Sequence, residues 1–163
     1  VLGLKNTIVE QTCRQIQGTV VPANYNCPGQ IVISGDTKSV MDCCEKLKEK
    51  GARRAIILPV SGAFHSSLME SAKEKLTDVI KQIDFDEPIC PIYQNVSGKP
   101  EIKADIIKSN LISQLTSSVK WTQSIENMIR DGAKEFLEIG PGNVLQGLVK
   151  KISRDTLTGK PSV

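Results

Sequence analysis

Aromatic residues occupy only 4% of the 163 positions, and Phe64, Phe85, Phe136, Tyr25, Tyr93 and Trp121 are not interleaved with the basic residues. Nucleic-acid surfaces combine basic side chains with aromatic stacking platforms, so this pattern speaks against such a ligand. His65 is the one histidine, and five cysteines (Cys13, Cys27, Cys43, Cys44, Cys90) are scattered without a C-x-x-C pair. One imidazole without a ligand cluster predicts no metal site. An odd, dispersed set of thiols predicts no disulfide framework, and reduced cysteines in a cytoplasmic protein are expected. No apolar run approaches the roughly 20 residues of a membrane helix, so no membrane partner is expected.

What is present is ordinary for a globular protein: 39% apolar residues, 24% charged residues and a net charge of +3. The basic stretch Lys46, Lys48, Lys50, Arg53, Arg54 and a second at Lys150, Lys151, Arg154 read either as solvated helix ends or as docks for an acidic or phosphorylated partner. The sequence opens on Val1 inside an apolar stretch and is expected to be part of something longer.

Residues 1–60 alternate as strand, helix, hairpin, helix, strand. Val1–Leu4 ends a strand, and 5–17 place Ile8, Val9, Thr12, Cys13 and Ile16 on one helical face. A hairpin turns at Cys27-Pro28-Gly29, residues 37–50 form a helix with Val40, Met41, Cys44 and Leu47 inward, and 53–60 ("RRAIILPV") read as a buried strand. This β-α-β-β-α-β order is that of a ferredoxin-like module with a truncated first strand. From residue 61 the pattern becomes α/β. Ser67 and Glu70 have capping-box spacing before an amphipathic helix, and 88–96 read as a short buried strand. Helices follow at 103–115 and 121–130, then a strand at 134–139 and a last helix at 144–152. The aperiodic tail 153–163 is expected to be flexible. With so few strands, residues 61–152 are expected to be the C-terminal part of a larger α/β subdomain into which residues 1–60 are inserted.

His65 lies between a strand and the cap of a helix, where α/β sheets gather ligands and where an imidazole can move protons near neutral pH. Position alone leaves a structural and a catalytic role both open. Gly140-Pro141-Gly142 forms a strand-to-helix turn whose amides could meet an anion, or simply a tight turn. Asn24, Asn26 and Asn95 stand at strand ends and could hold a polar ligand or serve as turn residues.

Five blocks, "VPANYNCPGQIVISG" (21–35), "PVSGAFHSSLM" (59–69), "IYQNVSGKP" (92–100), "QLTSSVKWTQSIENM" (114–128) and "EIGPGNVLQGLVKKI" (138–152), resemble in order and spacing the malonyl-CoA:acyl carrier protein transacylases of type II fatty acid synthesis. The resemblance implies an α/β-hydrolase-like subdomain with a ferredoxin-like insert. It also implies ping-pong transfer of malonyl from malonyl-CoA through a serine ester to the phosphopantetheine thiol of acyl carrier protein, with no bound cofactor. His65 matches the histidine that activates the serine, and Gln114 matches the residue whose backbone carbonyl orients that imidazole. Asn26 and Asn95 match polar residues of the cleft, and Phe64 resembles the bulky residue of malonyl-selective members.

The departure is the nucleophile: no G-x-S-x-G occurs, since "VISGD" (32–36) and "VSGAF" (60–64) match other parts of the family. The expectation is a C-terminal piece that is inactive by itself. The rivals are an acyltransferase domain of a polyketide synthase and a non-catalytic ferredoxin-like module that binds carrier protein.

Overall fold

The computed structural model describes residues 1–161. Helix α1 (Asn6–Gln15) buries Val9, Thr12 and Cys13, which share one face at three- and four-residue spacing. Gly18 (φ 97°) then turns the chain where Ser39 fills the space a Cβ would need. Strands β1 (Val20–Cys27) and β2 (Gln30–Gly35) form an antiparallel hairpin. Its register slips between Pro22 and Asn24 and again between Tyr25 and Cys27, so Ala23 and Asn26 are the extra residues of two bulges.

Helix α2 (Thr37–Glu49) starts at Asp36, whose carboxylate accepts the Ser39 and Thr19 N–H groups, both at 2.9 Å. Its buried face is Ser39, Cys43, Cys44 and Leu47. Met41, expected inward, is exposed because it stands two residues from Cys43, about 200° around the helix. The core of this half lies between α1, α2 and the hairpin: Leu4, Val9, Cys13, Val20, Ile31, Cys43 and Leu47. Leu2 bridges antiparallel to both Gln30 and Arg54.

The buried strand expected over 53–60 does not form. Arg54 alone bridges to Leu2, and Ile56 and Ile57 are 59% and 60% exposed. Consecutive apolar residues suit a strand covered on both faces, and among the described residues nothing supplies the second cover.

The capping box expected from Ser67 and Glu70 does not form. Ser66 is the cap, a single 3₁₀ turn covers Ser67–Met69, and α3 (Glu70–Lys81) follows. Helix α3 packs on α4 (Ala104–Gln114); Ile80 of the one and Ile107 of the other are buried, while Leu76, Val79, Ile106 and Leu111 remain exposed. The strand expected over 88–96 shrinks to β3 (Ile92–Tyr93), antiparallel to β4 (Pro100–Glu101). Helix α5 (Trp121–Arg130) buries Thr122, Ser124 and Ile125. Strand β5 (Glu135–Leu137), α6 (Val144–Ile152) and β6 (Leu157–Gly159) make a parallel β-α-β unit. The tail expected to be flexible therefore contributes a strand at 157–159, while residues 162 and 163 lie outside the described residues.

The two halves join at the first bulge of β1. Val119 N–H donates to the Ala23 carbonyl at 2.7 Å, and Tyr25 N–H donates to the Val119 carbonyl at 2.9 Å. The Thr122 hydroxyl adds a bond to the Tyr25 carbonyl at 2.9 Å. As one of the two strands in its sheet, β1 has an outer edge that β2 leaves unpaired, and the 118–122 segment satisfies it.

Candidate active site

His65 is the one non-glycine among the described residues with a positive φ, at 64°. The left-handed region costs an L-residue about 1–2 kcal/mol, so surrounding bonds must hold it there. Two of them end on consecutive carbonyls at the C-terminal end of α4. The His65 N–H donates to the Leu115 carbonyl at 3.1 Å, and the ring Nδ1 stands 3.0 Å from the Gln114 carbonyl oxygen.

A carbonyl oxygen can only accept, so Nδ1 carries the hydrogen and Nε2 of the neutral ring keeps its lone pair. Nε2 has no hydrogen-bond partner among the described residues. The ring is thereby set up to take a proton at Nε2.

His65 and Phe64 line a cavity of about 680 Å³. Asn24 and Asn26 of β1, Ile31 to Gly35 of β2, Met41 and Cys44 of α2 and the extended residues 56–58 form its other walls. Met41 and the apolar side chains of 56–58 are thus exposed to a cavity and not only to bulk solvent. Phe64 is 46% exposed, and its ring lies over Gly62, where a Cβ would stand 2.7 Å from Cε2.

The structure brings His65, Gln114, Phe64 and Asn26 together around this cavity, Gln114 through its carbonyl. Asn95 is not among the lining residues; its carbonyl accepts the Lys120 N–H at 2.8 Å. Just after the turn at Gly140-Pro141-Gly142, the first turn of α6 has an anionic partner from the chain itself. Glu138 already occupies the start of α6, accepting the Leu145 and Gln146 N–H groups at 3.1 and 3.2 Å. Desolvation alone would push its carboxyl up, but those bonds, with that from the Gln146 side chain, together outweigh it and hold the carboxyl below the usual range. Ser66 and Leu115 escaped the reading of the sequence. Ser66 sits beside a second serine of equal apparent merit, and Leu115 acts only through its backbone.

A family profile described as acyl transferase domain matches residues 1–162. The chain belongs to the acyl transferase domain family. Among curated members it is similar to the malonyl CoA-acyl carrier protein transacylase of Staphylococcus aureus, 44% identical over 158 residues, covering 95% of this chain and 51% of the relative. The Bacillus subtilis protein of the same name is 46% identical over 157 residues, covering 94% and 50%. This acyl transferase chain thus spans about half the length of the curated relatives it matches.

Solved structures agree. An acyl carrier protein S-malonyltransferase from Vibrio cholerae superposes with a TM-score of 0.95 at 37% identity, over 99% of this chain and 53% of that one. A malonyl-transacylase solved in complex with its type II polyketide synthase acyl carrier protein gives 0.92 at 39% identity, over 98% and 52%. The mixed α/β architecture is therefore that of these acyl transferases.

Proposed function

We propose that this chain is the C-terminal portion of a malonyl-CoA:acyl carrier protein transacylase, and that His65 is its general base and acid. The observation that carries the reading is the imidazole itself, with Nδ1 tied to the Gln114 carbonyl and Nε2 left free in a chain similar to enzymes of that name. The serine that forms the acyl ester stands in the portion of the relatives that this chain does not cover.

In the proposed cycle the serine hydroxyl gives its proton to Nε2 of His65 while its oxygen attacks the malonyl thioester carbon. The tetrahedral intermediate expels coenzyme A, whose sulfur takes the proton back from the imidazolium. The carrier-protein pantetheine thiol then gives its proton to Nε2 and attacks the ester. The serine oxygen leaves with that proton. The Gln114 carbonyl fills the place of the acid in a hydrolase triad, fixing the tautomer without a third titratable side chain. Asn26 offers a polar contact to the substrate from the cavity wall, and Phe64 crowds the carbon between the two carbonyls of the malonyl group. Asn95, outside the lining, is assigned to the margin of the cleft.

In the same reading, residues 1–60 form a ferredoxin-like unit. Leu2, bridged to Gln30 on one side and Arg54 on the other, supports a strand order of Arg54, Leu2, β2, β1. Residues 61–152 belong to a larger α/β-hydrolase-like subdomain, and the protein works in the cytoplasm. Exposed Ile56, Ile57 and Val60 are covered in the intact protein by the portion outside this chain.

Replacing His65 with Ala in the intact protein is expected to lower the rate of acylation by malonyl-CoA by about 10²–10⁴-fold, the usual worth of a general base, with the fold unchanged by circular dichroism. Near-normal burst acylation in that variant would end the assignment. The 163-residue chain alone, lacking G-x-S-x-G, is expected to turn over no malonyl-CoA.

A further inference from the structure

The strained backbone of His65 needs a clasp, and the residue that follows it has the right chemistry. Ser66 is 1% exposed. Its hydroxyl donates to the Ala63 carbonyl at 2.6 Å, closing a loop over Phe64 and His65. The same oxygen accepts the Leu68 N–H at 3.3 Å, so it also caps the 3₁₀ turn that leads into α3. One buried hydroxyl thus ties the residue before Phe64 to the helix entrance after His65.

Two further bonds hold the loop from outside, from the His65 N–H to the Leu115 carbonyl and from Nδ1 to the Gln114 carbonyl. Both act only if the residue keeps φ near 64°, because rotation out of that region swings the N–H and the ring away from the end of α4.

We infer that Ser66 is a positioning residue for the proposed reaction, holding His65 in the left-handed conformation that keeps Nε2 directed at the cavity. The inference rests on His65 being the base. It predicts that Ser66 alters the chemical step and the tautomer of one imidazole without altering substrate affinity. A misplacement of about 1 Å can cost about a hundredfold in rate, which sets the scale.

The test uses the intact protein carrying Ser66→Ala, which removes the hydroxyl, and Ser66→Cys, which fills its volume with a weak donor. Rapid-quench acylation with malonyl-CoA is expected to show kcat lowered about tenfold to a hundredfold in both, with KM unchanged. Nitrogen-15 spectra of histidine-labelled protein, with the His65 signal assigned by its loss in His65→Ala, are expected to move from the Nδ1–H form toward a mixture of tautomers. Wild-type kcat in either Ser66 variant would overturn the inference. So would a lowered kcat with an unmoved His65 signal, and so would loss of the fold in both, since the hydroxyl would then serve stability alone. Near-normal activity in His65→Ala would instead sink the reading of His65 as base, whatever Ser66 does.

Discussion

Phe64 owes its place to the residue two positions before it. A Cβ on Gly62 would stand 2.7 Å from ring atom Cε2 and 2.9 Å from Cζ, so any side chain there pushes the ring off its seat. If Phe64 crowds the position of an α-methyl group, Gly62→Ala and Phe64→Ala should act in the same direction. Each is expected to relax discrimination against methylmalonyl-CoA in the intact protein, up to the roughly 1–3 kcal/mol that one methyl group is worth in an apolar pocket. Competition between the two thioesters, read by mass of the acyl-enzyme, measures it, and an unchanged ratio in Phe64→Ala would remove Phe64 from specificity. How much of this was legible differs by residue. His65 stood out as the single imidazole at a strand-to-helix junction, and the five-block resemblance paired it with Gln114. Ser66 was not legible, because S-x-x-E spacing favours Ser67 and nothing in the string reveals that a 3₁₀ turn starts one residue earlier.

At the level of elements, the capping of α2 gives a test of pH dependence. Asp36 accepts the backbone N–H of Ser39, with its hydroxyl nearby, and the N–H of Thr19, and these bonds hold its carboxyl below the usual carboxylate range. A carboxyl depressed in the folded state adds stability above its unfolded pKa and loses it as the pH falls through the folded value. Thermal unfolding should therefore show Asp36→Asn less stable than the parent at neutral pH, with the gap closing as acid protonates Asp36. A gap that stays constant into strong acid would argue against the carboxylate as its source. The helices were the legible elements: α5 and α6 run over the residues their apolar spacing marks. Strands were harder. The run at 56–60 announces burial on two faces, yet burial depends on neighbours, and the chain supplies few of them. Strand β6 spans Leu157–Gly159, too short for any period to register, and forms because the backbone of β5 is free to pair.

At the scale of the whole molecule, the apolar surface is divided unevenly. Leu4, Val9, Cys13, Val20, Ile31, Cys43 and Leu47 close a core in the first half, while Ile56, Ile57 and Val60 at its end, and Ile139 and Val144 of the second half, are exposed, each by more than half. An exposed apolar surface of this extent should bind the dye ANS in the isolated 163-residue chain, and Ile57→Lys combined with Val60→Lys should lower the fluorescence several-fold. Equal fluorescence in that double variant would place the dye elsewhere. The joint between the halves carries a constraint of another kind. Residues 114–122 hold His65 by two carbonyls at one end and clasp the bulged strand β1 by Val119 and Thr122 at the other, so both walls of the cavity hang from one connector. Adding or deleting one residue in α4 would turn its terminal carbonyls by about 100° about the helix axis, and both the imidazole and the hairpin would lose their registration. The helix can accept many side chains, but its length is a fixed phase, and a homologue that changed it would have to change the connector as well.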